Sequence, residues 1–139
     1  MTGVTTRLER AASIYSLVIG ISMLGLWIML ISTSSVEEFD TRPVEIVLHI
    51  TAEAMTGVLL ILSGFAMWKG FSLRHNMFFL SIGMLLYTSI VSPGYYADRG
   101  EWPIVAAFAV LILSGIALAG SMLLSISKRR NHDELSSKD

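Results

Sequence analysis

The sequence predicts an all-α fold: an integral membrane four-helix bundle running up-down-up-down, with both termini cytoplasmic. Three observations predict it. Of the 139 residues 53% are hydrophobic and only 15% charged, with mean hydropathy +0.65, whereas a water-soluble domain carries about 25% charge. The apolar residues gather in four stretches, each near the roughly 20 residues that a helix needs to cross ~30 Å of hydrocarbon. Lys and Arg collect in alternate connections, as the positive-inside bias requires. A net charge of −1 excludes a strongly basic nucleic-acid binder, so no nucleic-acid partner is expected. The lack of cysteine excludes disulfides, CxxC redox chemistry, thiolate metal sites and iron–sulfur clusters.

Lipid offers no partner to backbone N–H and C=O groups, so each crossing must be helical. The first span covers about 11–33, within a stretch from Ala11 to Val36 that bears no formal charge. It follows Arg7 and Arg10 as a signal peptide would, but it exceeds the h-region length of about 7–15 residues and is retained as a helix. The second span, about 44–68, is entered through Pro43, whose missing N–H is harmless at a first helical position, and left at Gly70, a C-terminal cap. The third, about 72–92, is strongly apolar only from Met77 to Val91. It reads as starting near Phe71 with Arg74 snorkelling to the headgroups, rather than as continuing through Tyr95 and Tyr96. Pro93-Gly94 then reads as a type II turn. The fourth, about 103–126, starts at Pro103 and is stopped by Lys128, Arg129 and Arg130. The chain thus divides into a transmembrane domain, 1–127, and a polar cytoplasmic tail, 128–139, expected to fray into water.

Arg7, Arg10, Lys69, Arg74, Lys128, Arg129, Arg130 and Lys138 fall on one side of this arrangement, leaving only Arg42 and Arg99 for the other. The opposite connections hold Glu37, Glu38, Asp40, Glu45, Asp98 and Glu101. The basic side is assigned to the cytoplasm of a multi-pass cell-membrane protein. Trp27, Trp102, Tyr95 and Tyr96 are then expected at the outer interface and Trp68 at the inner one. Helices in lipid approach through small residues. Ser13, Ser16 and Gly20, Gly57 and Gly64, Gly83, and Ser114, Gly115, Ala119, Gly120 and Ser121 are the candidates, for packing within the bundle or for a dimer face.

The chemistry concentrates in the second span. Glu45, His49 and Glu53 recur every four residues and so share one helical stripe, which Thr56 and Gly57 continue. At ~1.5 Å per residue from Pro43, His49 lies about 9 Å down the helix and Glu53 about 15 Å. Glu53 is the one formal charge in the interior of the four spans. Ionisable groups at such depth are costly, on the order of 2.5–3.5 kcal/mol for Asp, Lys or Arg, and face a bundle interior or a cavity. Three states relieve that cost: a protonated Glu53, an ion pair with His49, or a bound cation. Glu53, His49, Glu45, Tyr87, Thr56 and Thr88 are therefore the candidate site. Tyr87 and Thr88 are expected level with His49 near the outer end of the third span. His49 and Glu53 are also half of a metal site for zinc, manganese or copper. The alternative occupant is a lipid-like ligand or quinone.

Other residues carry less. Scattered methionines are core fillers more readily than copper ligands. His75 and His132 are read as solvated, and an intramembrane bis-histidine haem would need a second histidine. Arg99 is expected to pair with Glu101 or reach Glu45. No phosphate-binding glycine loop, HExxH or GxSxG motif is present, so soluble-type catalysis is disfavoured. The leading expectation is a buried His/Glu site that binds or relays a proton, cation or small amphiphile, in a homo-oligomer or a larger membrane complex. The alternatives are a non-catalytic accessory subunit, and a redox protein or enzyme holding a quinone, haem or metal.

Overall fold

The computed structural model describes residues 6–34, 36 and 38–136, with the side chains of Tyr95, His132, Asp133 and Glu134 excepted. Expectations placed on Glu37 and Lys138, and on the side chains of Tyr95 and His132, lie outside the described residues. The described chain is helical, without strands: α1 (Arg7–Ser32), α2 (Glu38–Thr41), α3 (Pro43–Lys69), α4 (Arg74–Val91), α5 (Pro93–Asp98) and α6 (Trp102–Ser136). Four helices are long and apolar enough to cross a membrane: α1, α3, α4 prolonged by α5, and α6.

Local chemistry sets the helix ends. Thr6 caps α1 through a capping box: its hydroxyl accepts from the Glu9 N–H, and the Glu9 carboxylate accepts from the Thr6 N–H. Pro43 occupies the first turn of α3. Gly70 ends α3 at φ 71°, where a side chain would clash. The Gly70 and Phe71 N–H groups then return to the carbonyls of Met67 and Ala66, the Schellman pattern.

That tight exit corrects the expected start of the third span. The chain is still turning at residues 71–73, so α4 begins at Arg74 rather than near Phe71. Length is recovered at the other end, because Pro93 starts α5 directly after Ser92, which keeps right-handed helical angles. No type II turn forms at Pro93-Gly94, since Gly70 and Gly100 are the described glycines with positive φ. The tail also departs from expectation. Residues 128–136 continue α6 without a break, as a stretch free of proline and glycine and containing Lys, Arg, Glu and Leu can.

Packing is closest between α1 and α3. A Cβ on Gly20 would stand 2.7 Å from the Gly57 carbonyl oxygen, and one on Gly64 would stand 2.9 Å from the Ser13 carbonyl oxygen. Ser13 also donates its hydroxyl to the Gly64 carbonyl at 2.7 Å. Residues 13, 20 and 27 of α1 meet 64, 57 and 53 of α3, so the two run in opposite directions. α4 lies on the next side of α3, where the buried hydroxyls of Ser63 and Ser81 bond at 3.1 Å. α6 joins through α4 and Tyr15, whose hydroxyl donates to the Leu111 carbonyl. The buried core is Ala12, Leu60, Met67, Phe78, Ile82, Leu85 and Met122.

This packing separates the charges. The start of α1, the end of α3 and the start of α4 meet at one end, together with the second half of α6, whose Met122 belongs to the same core as Ala12 and Met67. Arg7, Arg10, Lys69, Arg74 and residues 128–130 therefore gather there. Glu38, Asp40, Glu45, Asp98 and Glu101 lie at the opposite end.

Candidate functional site

Glu53 is 8% exposed, and three helices converge on its carboxylate. His49, one turn earlier on α3, brings Nε2 within 3.2 Å of Oε1. Ser92, the residue joining α4 to α5, donates its hydroxyl to the same oxygen at 2.8 Å. From α1 the Trp27 indole donates Nε1–H to Oε2 at 2.5 Å. Trp27 also meets the His49 ring edge to face, with centroids 5.8 Å apart. Both carboxylate oxygens are thus engaged. The His49 side chain keeps 33% of its surface accessible.

The i, i+4 pair is therefore assembled as its spacing implied, whereas the other expected members go elsewhere. Glu45 pairs with Arg42 at 3.4 Å, both side chains 70% exposed, because one turn above His49 the stripe has already left the packed region. Thr56 and Thr88 are buried, but each hydroxyl bonds its own helix, at the Ala52 and Leu85 carbonyls. Tyr87 is 67% exposed. Thr56, Tyr87 and Thr88 line a separate open apolar groove of about 390 Å³ between α3 and α4, with Ala52, Phe79 and Gly83. The single cavity expected for Glu53, His49, Tyr87 and Thr88 is thus two places, since residue 87 falls one step around α4 from the face that meets α3.

Two members of the cluster lie outside the expected set. Trp27 is expected at the outer interface, yet its ring turns inward because a buried carboxylate offers its N–H an acceptor. Ser92 stands at the end of the third span, where nothing in the sequence marks it as a ligand of Glu53. Among the described residues no group of three or more His, Cys, Asp or Glu side chains comes together. Around Glu53 the nearest groups are an imidazole, an indole N–H and a hydroxyl. They present partial positive charge to the carboxylate, an arrangement that suits its anion.

A second carboxylate, Glu9, is buried more deeply, at 1% exposure. Besides the Thr6 N–H it receives Arg74 Nε at 3.2 Å and His75 Nε2 at 2.9 Å. Arg74 also donates to the carbonyls of Gly70 and Phe71. His75 is therefore a hydrogen-bonding partner of Glu9 rather than a solvated side chain, because α4 begins directly over the first turn of α1. The Thr6-x-x-Glu9 capping pattern was the available signal for Glu9. At the far end Arg99 reaches Glu38 at 3.7 Å, not Glu45 or Glu101. Tyr96 packs on Phe108 with ring centroids 6.0 Å apart.

No curated protein and no solved structure matches the chain. A family model does, over residues 6–134, which takes in all six helices, both buried carboxylates and most of the helical tail. The chain belongs to that family, the domain of unknown function DUF8058.

Proposed function

We propose that this is a multi-pass protein of the cell membrane, an up-down-up-down bundle with cytoplasmic termini, in which Glu53 and His49 form a proton-exchanging site open to the outer side. One observation carries the reading: a carboxylate 8% exposed, held from three helices, has an imidazole with one third of its surface accessible as a partner. An indole N–H only donates, and a serine hydroxyl does not ionise near neutrality. His49 is thus the group of the cluster able to take a proton from water, and Glu53 the group able to stabilise or receive it. The Trp27 and Ser92 donors fix the carboxylate so that the proton moves between aligned atoms.

A divalent ion suits the geometry less well, because it would have to displace donors already aimed at both oxygens. An amphiphile would find its apolar surface in the neighbouring Tyr87 groove, apart from the carboxylate. The reading is therefore of a binding and exchange site rather than an enzyme. The His49 imidazole signal, followed by NMR against pH with the protein in nanodiscs, tests it. Glu53→Gln preserves shape and an acceptor oxygen but removes the negative charge beside the imidazole, and is expected to move the His49 titration midpoint to lower pH with helix content unchanged. An unchanged midpoint in that variant would reject the site.

The exposed face of α6 favours a second reading, an accessory subunit of a larger membrane complex. Only 6% of its apolar window is buried within the chain, and Ala106, Ala117 and Ser121 are exposed along it. A stoichiometric partner recovered in mild detergent, together with wild-type behaviour of Glu53→Gln, would select this reading over the first.

A further inference from the structure

We propose that the groove between α1 and α3 at the basic end of the bundle is a binding site for an anionic membrane phospholipid, held through its phosphate by Arg10 and Trp68. The groove has a volume of about 330 Å³ and is lined by Arg10, Ser13, Ile14 and Trp68. It lies outside the Glu53 cluster and requires membrane insertion alone, not proton exchange.

Four features select the occupant. Arg10 is exposed and forms no ion pair among the described residues, whereas Arg74 is held by Glu9, Arg42 by Glu45, and Lys69 lies 5.6 Å from the Phe65 ring. A guanidinium free of protein partners offers the forked donor geometry that phosphate oxygens match. Trp68, 66% exposed on the last turn of α3, adds a donor-only indole at the depth where tryptophan meets headgroups. Ser13 supplies a wall rather than a contact, since its hydroxyl is already committed to the Gly64 carbonyl at 2.7 Å. Ile14 and Val18, 57% and 54% exposed, carry an apolar track away from the groove along α1, where an acyl chain would lie.

Charge then decides between headgroups. A choline or ethanolamine cation would enter beside Arg7 and Arg10, and the nearby carboxylate, Glu9, is buried and turned toward Arg74 and His75. A headgroup with net negative charge meets no such repulsion. Basic pockets between helices on the cytoplasmic side select such lipids.

The test uses the full chain in nanodiscs of phosphatidylcholine with a minor fraction of phosphatidylglycerol, and native mass spectrometry of the released protein. A single retained phosphatidylglycerol is expected. Arg10→Gln should lower its occupancy about fivefold, the effect of one basic residue near an anionic surface, and Trp68→Phe should lower it less. Arg129→Gln, on α6 and outside the lining of the groove, should leave it unchanged. No preference for phosphatidylglycerol over phosphatidylcholine would overturn the proposal. So would equal losses in the Arg10 and Arg129 variants, which would indicate a diffuse field rather than a site. Arg10 is exposed and Gln is a good helix former, so circular dichroism should report an unchanged fold.

Discussion

Single side chains at the Glu53 cluster report different things when changed. Trp27→Phe retains the ring against His49 and removes only the N–H that reaches Oε2. Loss of a hydrogen bond to a charged, buried acceptor is expected to destabilise by about 1.5–3 kcal/mol, read as a lower melting temperature in detergent. A melting temperature equal to wild type would mean that the carboxylate does not depend on α1. At the other end, Glu9→Ala removes the common acceptor of Thr6, Arg74 and His75. Breaking a buried pair costs up to about 5 kcal/mol when the partner stays buried. Here Arg74 and His75 are 17% and 25% exposed, so water reaches both and a loss of about 2 kcal/mol is expected. Legibility differed between the two carboxylates for a physical reason. Glu53 stands in an uninterrupted apolar run, where its charge draws notice. Glu9 lies among Arg7 and Arg10 before the run begins, and its burial arises only because α4 starts above it. Trp27 and Ser92 come to Glu53 from 26 and 39 residues away, a distance that periodicity within one helix does not encode.

Among the helices, the α1–α3 seam is where small residues matter most. Gly64→Ala would put a methyl group 2.7 Å from Leu17 Cγ and 2.9 Å from the Ser13 carbonyl oxygen. Backbone atoms cannot yield as a side-chain tip can, so the helices must separate, at a cost of about 1–3 kcal/mol. The same change at Gly120 meets nothing within 4 Å, and replacing glycine in a helix interior by alanine should stabilise by up to about 1 kcal/mol. Thermal melts of the two variants in one detergent check the contrast. Equal shifts would show that helix propensity, and not close approach, governs both sites. Hydropathy could place four apolar helices because the demand of lipid is composed of many residues. It could not place the helix ends near 71–74 and 92–98, which depend on one capped glycine and one proline. Nor could it distinguish Gly64 at a seam from Gly120 on an open face, since both sit in equally apolar surroundings.

At the scale of the whole molecule, the fold converts alternation of charge along the chain into opposite ends of one bundle. The segregation has a directional consequence, because positive connections stay in the cytoplasm while acidic ones cross. In the orientation proposed above, the exposed edge of His49 faces the outer side and the Arg10 groove the inner side. The chain contains no cysteine, which permits a direct measurement. Asp98→Cys marks the exposed end of α5, and Ser136→Cys marks the exposed last residue of α6. A membrane-impermeant maleimide added to intact cells is expected to label the first variant and to reach the second only after permeabilisation. The reverse pattern would turn the bundle over, opening His49 to the cytoplasm and moving the Arg10 groove to the outer leaflet. Labelling of both in intact cells would require an odd number of crossings between residues 98 and 136 to become even, so that α6 could not span. It would then lie along the membrane surface, where a helix as apolar as α6 could bury one of its faces and would leave the others in water.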